Sequence, residues 1–301
     1  MSTTHKHEVP NYGPAFALGI ALNLGFVIAE FIYGRRANSM ALIADAGHNL
    51  SDVLALGLAW GATVLSRRIP TSKRTYGLRR TTVLAALINA AVSLLALGAI
   101  AWESIVRLNA PGTVAERTVI IVAAIGVVVN AVSALLFFRN LSHDLNIRSA
   151  FAHLAADAAV SAGVVVAGII ITLTGSWWLD PAVSLAIVVV ILVGTWNLLR
   201  DSINLALDAV PEGIDLTAIQ QYLSTLPETT GVHDLHVWGL STTEAALTAH
   251  LVIADSSQQD QLLIQTEKEL HARFGIEHST LQIESPECEA VCRCRLQGGD
   301  R

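Results

Sequence analysis

Six apolar runs occupy the first two-thirds of the chain, at about 14–33, 40–65, 82–102, 118–138, 150–174 and 181–199. Each is near or above the roughly 20 residues that an α-helix needs to cross about 30 Å of hydrocarbon. One such run is compatible with a buried helix of a soluble domain. Six in succession, joined by short polar connections, are not. Charged residues make up 15% of the chain, against about 25% in a soluble domain. The chain therefore reads as a polytopic α-helical membrane protein with six transmembrane helices. The polar start "MSTTHKHEVPNYG" carries no signal-peptide cleavage pattern, so the first run is expected to be kept as a span.

Loop charge predicts the orientation. The 66–80 connection "SRRIPTSKRTYGLRR" holds six Lys/Arg, and the 139–149 connection holds Arg139 and Arg148. The facing loops hold Arg35 and Arg36, then Arg117, then none between 175 and 180. The positive-inside bias places the 66–80 loop in the cytoplasm, against the dissent of Arg35 and Arg36. An even number of spans then puts both termini there, and the expected location is the cell inner membrane.

Charge and periodicity both change near residue 210. Residues 1–210 carry fourteen Lys/Arg against eleven Asp/Glu, and the remainder five against fourteen. Past "DAVPEGID", Leu216, Ile219, Leu223 and Leu226 recur at helical spacing. "VHDLHVWGL" and "ALTAHLVI" read as strands, "QDQLLIQTEKELHARFG" as an amphipathic helix ending at Gly275, and "STLQIES" as a last strand. The order α-β-β-α-β describes a compact cytoplasmic α+β domain. The expected division is a tail at 1–13, the membrane domain at 14–209, the α+β domain at 210–286 and a Cys-containing tail at 287–301. Cys288, Cys292 and Cys294 all lie in that last segment. In a reducing cytoplasm they suit free thiols or metal ligands rather than disulfides.

The second run contains "HNLSD" and the fifth "HLAAD". His48 and Asp52, and again His153 and Asp157, are four apart, which puts each pair on one helix face. An ionisable side chain at bilayer depth costs about 2.5 kcal/mol or more, so it should face the bundle interior and have a partner. A single pair would be explained by a histidine bonded to its own helix's aspartate. Two copies in separate spans point instead to a tetrahedral site of two nitrogens and two oxygens. That set suits Zn²⁺, Co²⁺, Ni²⁺ and Cd²⁺. Mg²⁺ and Ca²⁺ prefer all-oxygen shells, and Cu⁺ prefers sulfur, which the spans supply only through Met40. Asp45, one turn before His48, has three readings: an entrance carboxylate, an acceptor that fixes the imidazole tautomer, or a group solvated near the head groups.

These residues, with "YGLRRTTVLAALINA" entering the third span and "VHDLHVW" opening the tail, resemble the cation diffusion facilitator family in its zinc-transporting branch. The resemblance covers nearly the whole chain. It implies a homodimeric carrier that expels divalent metal in exchange for protons by alternating access. It also implies that His48, Asp52, His153 and Asp157 form the transport site, and that the tail is a metallochaperone-like domain joining the protomers. Zn²⁺ binds neutral imidazole and ionised carboxylate, so metal and protons compete for such a site, near the ordinary histidine pKa of about 6.5.

The resemblance further places His233, His250, His278 and Glu284 where relatives bind regulatory metal, with the zinc-competent Cys288 and Cys292 nearby. Against this, histidines on strands are usually ordinary polar residues, and His233 and His236 fall on opposite strand faces unless a bulge intervenes. The 66–80 loop has no histidine and carries Arg79 where zinc-transporting relatives often have one, so no metal site is expected there. Its basic residues suit anionic lipid, the acidic tail domain of the dimer, or topology alone. Gly57, Gly61 and the alanines and Gly163 of the fifth span suit close helix approach, and Asn23 and Asn130 suit interhelical hydrogen bonds. His5 and His7 at the start suit loose metal capture, and His143 and His271 read as solvated.

Neither an HExxH pair nor a GxSxG elbow occurs in the sequence, which argues against a membrane-embedded hydrolase, so no enzyme is expected. A metal sensor without transport would not need ligands at bilayer depth. A broader Co²⁺, Cd²⁺ or Ni²⁺ carrier stays the alternative to Zn²⁺. Expected partners are divalent metal ions, protons, membrane lipid and a second copy of the chain, with no nucleic acid. Zn²⁺ is expected as the transported substrate and as a regulatory ion, with no organic cofactor.

Overall fold

The computed structural model describes residues 13–138, 145–254 and 259–286, with side chains over 24–135, 153–254 and 259–286. The expectations for His5, His7, Asn23, His143, Cys288, Cys292 and Cys294 lie outside these residues. Six long helices come first: α1 (Gly13–Arg36), α2 (Met40–Ser66), α3 (Thr81–Asn109), α4 (Glu116–Phe138), α5 (Leu145–Thr174) and α6 (Leu179–Ala206). Among the described residues, α2 to α6 are long and apolar enough to cross a membrane, and α1 covers the first apolar run. Several helices outrun their apolar runs because polar residues do not stop a helix. In α3, Arg107 Nε and Glu103 Oε1 pair at 2.9 Å one turn apart in the extra length.

The chain forms two compact units. The first contains α1, α2 through Gly57, α3 from Asn89, α4, α5 and α6 through Asn197. Its core joins Ala41, Leu42 and Ala44 of α2 to Val119 and Ala123 of α4, Val164 of α5 and Ile187 of α6. The outer surface is the reverse of a soluble protein's. Leu95 is 76% exposed, Trp102 70% and Leu173 79%, a surface suited to hydrocarbon. This is an integral membrane protein.

The start of α2 is fastened to two other helices. Ser39 Oγ caps it by accepting from Leu42 N–H at 3.2 Å, and donates to Asp180 Oδ1 of α6 at 2.5 Å. Asp180 Oδ2 accepts Met40 N–H at 2.5 Å. Arg107 of α3 donates to Asn38 Oδ1 at 2.7 Å and to its carbonyl at 3.1 Å. These bonds satisfy amides that a helix start otherwise leaves unpaired. Close approach of helices happens at glycines other than those the sequence suggested. A Cβ on Gly168 of α5 would stand 2.8 Å from Ile120 of α4, and one on Gly126 of α4 would crowd Phe26 and Ser161. A Cβ on Gly57, Gly61 or Gly163 would meet no described atom within 4 Å.

The second unit contains residues 58–88 and those from Leu198 onward. Its tail holds α7 (Leu216–Ser224), β1 (Thr229–Gly239), β2 (Ala245–Ile253), α8 (Gln259–Phe274) and β3 (Ile276–Glu284), in the α-β-β-α-β order the periodicity predicts. Asp215 caps α7 by accepting from the amides of Thr217 and Ala218. Gly275 (φ +67) ends α8 in the left-handed conformation that favours glycine. In the sheet, β2 is central, antiparallel to β1 and parallel to β3. Ile219, Leu223, Leu247, Leu251 and Leu270 form the core. The basic connection meets this acidic tail within the same chain: Arg79 Nη1 is 3.1 Å from Glu244 Oε2, Arg80 pairs with Asp208, and Thr242 N–H donates to Thr82 Oγ1 at 3.1 Å.

Candidate metal sites

The two HxxxD pairs converge. α2 and α5 are neighbours, held one turn away by Ser161 Oγ donating to Asp45 Oδ2 at 2.7 Å. His48 Nε2 lies 3.3 Å from Asp157 Oδ1, and His48 Nδ1 lies 3.7 Å from Asp52 Oδ2. His153 Nε2 lies 3.2 Å from Asp52 Oδ2 and 3.5 Å from Asp157 Oδ2. The two rings stand edge to face with centroids 6.0 Å apart. One ligand atom each from His48, Asp52 and Asp157 fall within 4.8 Å of one another.

Exposure is graded across the site. The Asp157 side chain is 6% exposed, His48 16%, Asp52 37% and His153 50%. One end of the constellation is therefore sealed in the bundle and the other is open. Both ring nitrogens of His48 face carboxylates. That arrangement is satisfied by a doubly protonated ring, or by one nitrogen on a cation while the other N–H donates. The four groups can hold protons or a divalent cation, and each excludes the other.

Asp45 is fully buried, which overturns its reading as a solvated group. Its Oδ2 accepts from Ser161 Oγ at 2.7 Å. Glu30 did not feature in the sequence reading, although a lone glutamate in the run "FVIAEFIYG" is the kind of intramembrane charge that signals function. It is fully buried, and Asn49 Nδ2 donates to its Oε2 at 3.4 Å. Asp180 was likewise not singled out. Asn130 is buried, and its Nδ2 has no hydrogen-bond partner among the described residues.

A second cluster lies on the tail sheet. β1 and β2 pair so that His233 stands opposite His250, and their rings approach to 5.0 Å. Glu284 at the end of β3 reaches both: His233 Nε2 is 3.1 Å from Oε2 and His250 Nδ1 is 2.8 Å from Oε1. Glu284 is 3% exposed and also accepts from Gln282 Nε2 at 2.8 Å. The register slips between His233 and His236, where Asp234 has φ 52. Even with that irregularity His236 stays out of the cluster, 3.0 Å from Asp234 Oδ1 and largely exposed. His278 is also elsewhere, its ring edge-on to Tyr76 at 6.0 Å. Two imidazole nitrogens and a buried carboxylate fit Zn²⁺ chemistry, and these three donors are one short of a closed tetrahedron.

Residues 16–205 match the family described as the cation efflux transmembrane domain, and residues 211–286 match the cation efflux protein cytoplasmic domain. The metal cation efflux system protein CzcD of Cupriavidus metallidurans is 34% identical over 292 residues, covering 96% of this chain and 92% of the relative. The cadmium, cobalt and zinc/H(+)-K(+) antiporter of Bacillus subtilis is 32% identical over 93% of this chain and 92% of its own length. The zinc transporter ZitB of Escherichia coli is 34% identical over 99% of this chain and 97% of its own.

Proposed function

The chain belongs to the cation diffusion facilitator family, in its zinc-transporting branch, and from that premise we propose that it carries Zn²⁺ out of the cytoplasm in exchange for protons. The relatives named above are a metal cation efflux system protein, a cadmium, cobalt and zinc antiporter and a zinc transporter, which supports divalent metal efflux here. The finer reading assigns the transported ion to His48, Asp52, His153 and Asp157. The observation that carries it is the pairing across α2 and α5, with His48 on Asp157 and His153 on Asp52. Three of the four groups bring a ligand atom within 4.8 Å of one another, with His153 beside Asp52 and Asp157, at a depth where uncompensated charge is costly.

Transport follows from competition at that place. Zn²⁺ takes neutral imidazole and ionised carboxylate, so its arrival displaces protons and its departure readmits them. If the open end, at His153, faces alternate sides of the membrane in turn, the two flows are exchanged without covalent chemistry. His233, His250 and Glu284 would hold a regulatory Zn²⁺ in the tail, which associates with the tail of a second copy. Both termini lie in the cytoplasm and the protein spans the cytoplasmic membrane, by the charge of the 66–80 loop. The name of the Bacillus subtilis relative favours a second reading, in which Cd²⁺ and Co²⁺ are carried as well.

The test is flux in proteoliposomes of the purified protein under an imposed pH gradient, run with Zn²⁺, Cd²⁺, Co²⁺ and Ni²⁺. The reading expects Zn²⁺ movement that the gradient accelerates. Absence of gradient-dependent movement for all four ions would overturn it.

A further inference from the structure

The connection between α2 and α3 divides into two sets of cations. Arg79 and Arg80 are taken by the tail, on Glu244 and Asp208. Arg67, Arg68, Lys73 and Arg74 are exposed and form no ion pair among the described residues. The sequence offers them no local partner, because no Asp or Glu stands between Asp52 and Glu103. The segment is folded all the same. Arg68 N–H donates to the Leu65 carbonyl at 3.1 Å, Thr71 and Arg74 exchange both backbone bonds at 3.0 Å, and Gly77 N–H donates to the Arg74 carbonyl at 2.9 Å. A Cβ on Gly77 would stand 3.0 Å from the Arg68 carbonyl oxygen, so the loop closes on itself. This hairpin leaves Ile69, flanked by Arg68 and Pro70, 86% exposed.

α2 ends at Ser66, and all four cations fall within the next eight residues. An acidic protein surface would satisfy these charges but leave Ile69 in water. The head-group region of an anionic bilayer satisfies both. Its phosphates accept from guanidinium and ammonium groups, and the acyl boundary takes an aliphatic side chain. A basic cluster of this size just past a span is the kind that anionic lipid attracts, each cation adding about fivefold to the affinity.

We propose that Arg67, Arg68, Lys73 and Arg74, with Ile69 between them, bind anionic phospholipid in the leaflet where α2 ends, while Arg79 and Arg80 hold the tail. The connection is then fixed at both ends, by the bilayer through its first half and by the tail through its second. Lipid binding of this kind is independent of which ion is carried and of proton exchange.

The experiment uses the purified full chain in detergent, titrated with phosphatidylglycerol or with phosphatidylethanolamine and followed by native mass spectrometry. Phosphatidylglycerol should bind at least about tenfold more weakly when Arg67→Gln, Arg68→Gln, Lys73→Gln and Arg74→Gln are combined. Phosphatidylethanolamine binding should not change. Combining Arg67→Lys, Arg68→Lys and Arg74→Lys keeps the charge and should stay within about threefold of wild type. Equal phosphatidylglycerol binding by the wild type and the glutamine variant would overturn the proposal, and the cations would then serve topology alone. A glutamine variant that keeps its lipid but loses its dimer would give these cations to the tail of a second copy, and would overturn it too. Displacement of the lipid by inorganic phosphate at equal concentration would reveal a free-phosphate site and also overturn it. If the glutamine variant fails to insert, Ile69→Asp decides, since it keeps every cation. It should weaken phosphatidylglycerol binding at least about threefold by setting a like charge against the head groups, and unchanged binding would overturn the proposal.

Discussion

His153 lies closer to Asp52 on α2, at 3.2 Å, than to Asp157 on its own helix, at 3.5 Å. His48 behaves the same way, 3.3 Å from Asp157 across the helix interface and 3.7 Å from Asp52 one turn along. Each motif is therefore completed by the other, and neither HxxxD acts as a self-contained pair. This crossing makes every ligand's removal a loss to both helices.

Asp157→Ala should reduce zinc flux by more than about 100-fold, since even residues that only support metal ligands are worth 10–100-fold. Protein level in the membrane should stay near wild type. Robust flux at equal protein would remove Asp157, the most buried of the four, from the site.

His48→Asp keeps a ligand but exchanges nitrogen for oxygen. The harder site should favour larger, more oxygen-tolerant ions, so the Cd²⁺ to Zn²⁺ flux ratio should rise. A constant ratio would show that selectivity is set by the rigidity of the surrounding helices.

Zinc affinity should fall as pH drops through about 6.5, where ordinary imidazole gains its proton. The sign is set by competition: the bound ion needs the deprotonated ring, so acid favours release. Equilibrium binding to the purified protein between pH 5.5 and 8, a range on the order of the histidine titration, reads this directly. Binding that is flat with pH would mean the imidazoles are not ligands.

Asp180→Ala should destabilise the helical unit by about 1–3 kcal/mol, because it strands the Ser39 hydroxyl and the Met40 amide in the interior. Asp180→Asn keeps an acceptor and should lose less. Unfolding in detergent measures both, and equal stability of all three proteins would show that water replaces the lost bonds.

The segment 211–286 draws its core from its own residues and should melt on the order of 10 °C higher with Zn²⁺ at about 100 times its dissociation constant. Replacing His233 and His250 with Ala should abolish that shift. His278→Ala should leave most of it, because its ring faces Tyr76 rather than Glu284. A shift that depends on His278 and not on His233 would relocate the site.

The sequence by itself determined six helices, the α-β-β-α-β tail and the depth of the two HxxxD pairs. All three follow from local periodicity: apolar length sets a span, a spacing of four sets a helix face, and alternation sets a strand. Tertiary structure alone decided which groups meet. It crossed His48 to Asp157 and His153 to Asp52, and it closed Asp45 against Ser161 rather than against solvent. It also brought His233 and His250 together on Glu284 while leaving His278 on Tyr76. The physical reason is that periodicity constrains one element at a time. Partners on α1, α2 and α5, or on three strands, are chosen by how those elements pack and register, and residues up to 116 positions apart in the chain have no local signal of one another.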